Sequence, residues 1–169
     1  MSILVDHLEN ETLSELLFLH VSIIGELRKR GVLRSENNPT GDLAEYLFCH
    51  AFGWKQAPNS QKGFDAKSED GTRYQIKGRR LNNRNPSRQV SQIRDFDAFD
   101  FLAAVLFDHY YRIMRAALIP AAVVKDCSVY VEHTSSYRFM LQDNVWDIPG
   151  VRDVTKEIDE ILFVLDVAL

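Results

Sequence analysis

Four side chains in this 169-residue chain have the types and spacing to act together on a phosphodiester: Glu45, Asp65, Gln75 and Lys77. Hydrolysis of that bond needs neutralised nonbridging oxygens, a water made nucleophilic and a stabilised leaving oxygen. Oxygen donors suit magnesium, or manganese in its place, and magnesium keeps several of its own waters when bound to protein. Asp65, the side-chain carbonyl of Gln75 and the backbone carbonyl of Ile76 could hold such a cation, with Glu45 joining directly or through water. Lys77 follows Gln75 by two residues, which puts both on one face of an extended strand. From there the lysine would reach the scissile phosphate, or orient or deprotonate the attacking water.

Positioning these groups requires a hairpin and a helix. Phe64 to Lys67 and Thr72 to Gly78 flank Asp70-Gly71, a dipeptide that takes positive φ readily and signals a hairpin. In the second segment Tyr74 and Ile76 alternate with Gln75 and Lys77, so two apolar groups face a core while the amide and the ammonium share the other face. Asp65 lies on the partner strand at the edge of a sheet, and Arg79 and Arg80 follow at once. Glu45 falls in Gly41 to Phe52, which reads as a helix N-capped by Thr40 and stopped by Gly53. Leu43, Ala44, Leu47, Phe48, Ala51 and Phe52 fill one face of that helix, and Glu45 sits just past its edge. Its carboxylate belongs either to a rim with its head in water or to a half-buried site.

The rest of the chain supplies a frame. Glu11 to Arg30 predicts an amphipathic helix with Leu13, Leu16, Leu17, Val21, Ile24 and Leu27 near 3.6-residue spacing. Thr12 and Glu15 have capping-box spacing, and Arg28-Lys29-Arg30 before Gly31 suit a basic last turn. Phe18, Leu19 and Ile23 widen its apolar face, as burial or contact with a second copy would require. Arg34 to Pro39 is a short polar connection. Trp54 to Pro58 reads as a short strand, Asn59 to Gly63 as the loop into the hairpin, and Leu81 to Gln89 as a mobile, exposed loop. Phe99 to Phe107 is a largely continuous apolar run of the kind a doubly buried strand shows. Tyr110 to Leu118 reads as the next strand, paired with it through Asp108-His109. Pro120 opens a helix or stiff connection into Ala121 to Lys125, Tyr137 to Leu141 reads as a small strand, and Val154 to Leu165 as a closing helix. This order indicates an α/β or α+β domain around a central mixed sheet, with residues 1–169 forming one domain.

Composition narrows the classes. With 46% apolar and 11% aromatic residues the chain is too hydrophobic for a disordered one. Two cysteines, Cys49 and Cys127, are too few for a disulfide framework and lie in no paired metal spacing. Met1 to Asp6 has no basic region leading into an apolar run, and no apolar run approaches a membrane span, so a cytoplasmic setting is expected. The net charge is −4, yet Arg73 to Arg94 holds seven basic residues and no acidic one, leaving the remainder at −11. Such a strip steers a phosphate backbone to one face, and Arg79, Arg80, Arg84 and Arg88 are its candidate phosphate contacts. A solvated charged loop is the other account of it. Gln89 and Gln92 could make polar contacts in a groove. His50, His109 and His133 are isolated, Ser135-Ser136 has no identifiable base partner, and Gly63, Gly71 and Gly78 are too far apart for a phosphate loop.

A helix glutamate, an aspartate at a strand and, about ten residues on, a polar-x-Lys triplet together resemble the PD-(D/E)XK nuclease superfamily, the restriction-endonuclease-like fold. Gly63-Phe64-Asp65 followed by Gln75-Ile76-Lys77 is most similar to the Mrr-type branch, where glutamine replaces the second acid. The resemblance spans roughly Gly41 to Leu118. It implies a three-layer core of αβββαβ type, with Asp65 as main metal ligand, Gln75 as second ligand, Lys77 as catalytic lysine and Glu45 as auxiliary acid. It also implies a magnesium-dependent DNA endonuclease of restriction or genome-defence type, with duplex DNA as the expected partner and a homodimer compatible with it. Gly63-Phe64 stands where the superfamily name has a proline, and Gln75 removes one negative charge from the site. A catalytically inactive module of the same fold, binding nucleic acid or a partner protein, is the alternative.

Overall fold

A computed structural model describes residues 7–58, 60, 62–90 and 92–168, the last three as backbone only. The expectations for Met1 to Asp6, and for Asn59 and Gln61 in the loop entering the hairpin, lie outside the described residues. The chain divides into two compact units, residues 1–39 and 40–169, with the division at the end of the polar connection.

In the first unit α1 runs over Leu13–Lys29. Thr12 caps it as its spacing predicts: the Thr12 hydroxyl accepts from the Glu15 N–H at 3.3 Å while the Glu15 carboxylate accepts from the Thr12 N–H at 2.8 Å. Gly31 follows with φ 76°, the left-handed geometry expected beyond a basic last turn. Arg28 pairs with Glu36 at 2.7 Å and Arg30 with Glu26 at 2.8 Å.

The second unit is mixed α/β. Helix α2 covers Thr40–Phe52, so Thr40 is its first residue and not its cap; the Thr40 hydroxyl lies 3.2 Å from the Tyr111 hydroxyl. A six-stranded sheet has the order β1 (Lys55–Gln56), β2 (Ala66–Lys67), β3 (Arg73–Arg80), β4 (Phe101–Phe107), β5 (Ile113–Pro120) and β8 (Arg152–Asp153). Neighbours are antiparallel except β3 and β4, which run parallel with Ile76 opposite Ala103. Between β5 and β8 come α3 (Ala121–Asp126) and the small hairpin of β6 (Val129–Val131) and β7 (Ser136–Arg138), and α4 (Thr155–Ala168) closes the chain.

Alternation along the strands builds two cores. Ile76, Ala103, Val105, Phe107 and Ala116 pack with Ala44, Leu47 and Phe48 of α2 and Ile158 of α4. On the opposite face Leu102, Ala104, Leu106, Ala117 and Ile119 pack with Val124 of α3 and with Val90, Ile93, Phe139 and Leu141 from irregular chain. Strand β4 serves both, which is why it reads as an unbroken apolar run.

Two expectations are corrected. The first strand of the hairpin is shorter than Phe64 to Lys67: β2 covers only Ala66–Lys67, and in the loop that follows Ser68 N–H donates to the Thr72 carbonyl at 3.1 Å and Gly71 N–H to the Ser68 carbonyl at 3.1 Å. Asp70 ties this loop together, because its carboxylate takes the Thr72 N–H at 3.0 Å and the Ser68 hydroxyl at 2.6 Å. The stretch Leu81 to Gln89 is fully exposed only over Asn83–Pro86. Asn82 bridges to Asn85, and Gln89 to Met140, tying the segment to the sheet's second face before Val90 and Ile93 bury completely.

Candidate active site

Asp65 immediately precedes β2, and its backbone is held on both sides. Its N–H donates to the Tyr74 carbonyl at 2.8 Å, and its carbonyl accepts from the Ala57 N–H at 2.8 Å. Beyond the register pair Ala66–Tyr74 the β2–β3 ladder stops, and the Asp65 side chain takes over: Oδ2 accepts from the Ile76 N–H at 2.7 Å. In an extended strand the N–H and C=O of one residue leave on the same side, so the Ile76 carbonyl also opens toward Asp65.

Lys77 Nζ lies 3.8 Å from the same Oδ2, and the two side chains keep only 20% and 26% of their exposure. Gln75 shares the strand face of Lys77. Its Nε2 donates weakly to the Gly63 carbonyl at 3.5 Å, while its Oε1 is buried without a hydrogen-bond partner among the described residues. An acceptor left in that state costs about 1–3 kcal/mol. The sheet's outer strands are β1 and β8, so Asp65 does not lie at the sheet edge, contrary to expectation; the structure brings it with Gln75 and Lys77 to the edge of β3 that the short β2 leaves unpaired.

Glu45 reaches this edge through an intermediary. It is half-buried, and its Oε2 accepts from Gln56 Nε2 at 2.7 Å. Gln56 is the register partner of Ala66, next to Asp65. The half-buried alternative for Glu45 is thus the one adopted. Its helix can lie this close because β3 carries Gly78 beneath it: a Cβ there would stand 2.7 Å from the Thr40 carbonyl and 3.0 Å from Ala44 Cβ. Nothing in the spacing of Gln56 and Gly78 marks either role, since both depend on which elements meet.

The basic strip has partners both within its own loop and from distant chain. Arg79 donates to the Ser87 carbonyl and to Asn85 Oδ1, each at 2.9 Å. Arg80 lies over the Tyr111 ring at 4.8 Å, and Arg88 pairs with Asp143 at 2.7 Å. Arg84 is exposed. Arg73 is bound to Asp100 at 2.9 Å and to the Asp97 carbonyl at 2.9 Å, and its hydrogen bonds hold the Asp100 carboxyl below the usual range. Of the four arginines proposed as phosphate contacts, Arg79, Arg80 and Arg88 thus also hold the loop and the strand ends in place.

Among the described residues no three His, Cys, Asp or Glu side chains gather in a metal-holding group. A cation at this edge would draw instead on Asp65, an amide oxygen and a backbone carbonyl, and the orphaned Gln75 Oε1 is the acceptor that such a cation would satisfy. Among the described residues no helix is long and apolar enough to cross a membrane. Compared with models of known protein families and with curated proteins, the chain matches none.

Proposed function

We propose that this chain is a magnesium-dependent endonuclease of the restriction-endonuclease-like fold, hydrolysing DNA phosphodiester bonds in restriction or genome defence. One observation carries the reading: a carboxylate fixed by the Ile76 N–H, an ammonium 3.8 Å from it and a buried amide oxygen without a partner among the described residues lie where β2 ends beside β3. Asp65, Gln75 Oε1 and the Ile76 carbonyl are the groups that would hold magnesium, with Glu45 held nearby through Gln56. The metal would supply charge neutralisation on the phosphate and a water of lowered pKa.

The chain's own residues do the positioning. Ile76 N–H fixes the rotamer of Asp65, so the carboxylate is oriented before substrate arrives. Lys77 is held beside that carboxylate, where its ammonium can bind a phosphate oxygen or orient the water. Arg84, exposed in its loop, is the one of Arg79, Arg80, Arg84 and Arg88 that is open to a phosphate backbone.

The test is cleavage of plasmid and short linear DNA by purified protein with magnesium, with manganese and with EDTA. Metal-dependent nicking is expected, reduced to background in Asp65→Ala and by about 10²–10⁴-fold in Lys77→Ala. Absence of cleavage in every metal, with DNA binding intact in both variants, would instead support a binding module.

A further inference from the structure

An open cavity of about 810 Å³ lies beside the candidate site, within the size range of ligand clefts. Gln75, Gln89 and Gln92 line it, with Lys62, Arg94 and Asp95. Gly63 and Ala98 form a wall where two loops meet: Gly63 has φ 98°, and a Cβ there would stand 2.6 Å from Ala98 Cβ. Gln89 is presented from ordered chain, since its backbone bridges to Met140.

The lining chemistry selects the occupant. Two of the amides, Gln89 and Gln92, each offer a donor beside an acceptor, the pattern that matches the edge of a nucleobase. Two cations against one carboxylate give a mildly positive surround, which suits a neutral hydrogen-bonding group carried on an anionic chain better than a bare phosphate. Gln75 belongs both to this cavity and to the candidate metal site, so the occupant sits next to the reacting bond. A base in a duplex has its Watson–Crick edge occupied, and entering a walled cleft requires it to be unpaired.

We propose that this cavity receives an unpaired nucleobase of the strand being cut, with Gln89 and Gln92 reading its edge and Lys62 and Arg94 meeting its flanking phosphates. The proposal rests on the nuclease reading and names the substrate feature which that site recognises. The base comes either from a single strand or from a duplex position turned outward.

The experiment measures binding in EDTA, so that no cleavage intervenes. Labelled single strands carrying all their bases are compared with strands containing a central abasic run, for the native chain, for Gln92→Ala and for Gln89→Ala/Gln92→Ala. Native protein is expected to bind the base-bearing strand about tenfold more tightly, with the preference reduced in Gln92→Ala and lost in the double variant. Affinity for the abasic strand should stay unchanged, which also shows that the variants are folded. A third arm places 2-aminopurine in a duplex: a rise in fluorescence on binding assigns the base to an extruded position, and no rise assigns it to single strands. Equal binding of both strands by native protein, or a preference that survives the double variant, overturns the proposal. If native protein still cleaves plasmid with magnesium, that result removes the base cavity and leaves the nuclease reading standing; absence of any DNA binding and cleavage removes both.

Discussion

The two faces of β3 are finished to different degrees. On one, Tyr74, Ile76 and Gly78 meet α2 and the aromatic stack of Trp54 and Phe48, with Tyr74 and Trp54 rings 3.6 Å apart. On the other, Gln75, Lys77 and Arg79 are half-buried among loops, one amide oxygen lacks a partner among the described residues and a cavity stands open. Alternation makes this possible, because each face of a strand can be packed without regard to the other. The closed face supplies rigidity, and the open one holds polar groups among loops beside a cavity.

The largest effect should come from the closed face. Phe48 is fully buried between α2 and the sheet, so Phe48→Ala is expected to cost about 3–5 kcal/mol in urea denaturation. A loss below about 1 kcal/mol would mean that α2 does not anchor the sheet. The open face should respond in the opposite sense. Gln75→Leu removes a buried acceptor that has no partner among the described residues and, among those residues, sacrifices a 3.5 Å contact to Gly63. Stability measured in EDTA is expected to rise by about 1 kcal/mol while metal-dependent cleavage disappears. Destabilisation with cleavage retained would show that the amide oxygen has a structural partner and that the contrast between the faces is wrong.

Much of this contrast was readable in the sequence, and the unread part has a common cause. Tyr74-Gln75-Ile76-Lys77 announces its two faces because side chains alternate with period two, and Phe101 to Phe107 announces a central strand because both its sides are covered. The gathering of Asp65 with Gln75 and Lys77 follows from the hairpin. What could not be read are contacts between elements far apart in the chain: Gln56 with Glu45, Gly78 under Thr40, Gly63 against Ala98. The polar stretch from Leu81 departs from a wholly exposed loop for the same reason, since the partner of Gln89 is Met140, about fifty residues on. The parallel pairing of β3 with β4 is likewise a property of the crossover, which composition does not reveal.

The smallest effect concerns the turn that carries β2, and with it Asp65. Asp70 is exposed, yet its carboxyl is held well below the ordinary aspartate range, at about 2, chiefly by the Ser68 hydroxyl and then by the Thr72 N–H. Both donors favour the charged form, so protonating the folded hairpin is harder than protonating the unfolded chain. The carboxylate therefore contributes its full stabilisation above the unfolded value near 4 and loses it as pH falls through about 2. NMR titration of the Asp70 carboxyl carbon should give a midpoint near 2, with the Thr72 amide shift following the same curve. Ser68→Ala should move that midpoint upward. A midpoint at the ordinary aspartate value would place the turn outside the hydrogen-bonded geometry, and the strand that seats Asp65 would then be set by β1 and β3 alone.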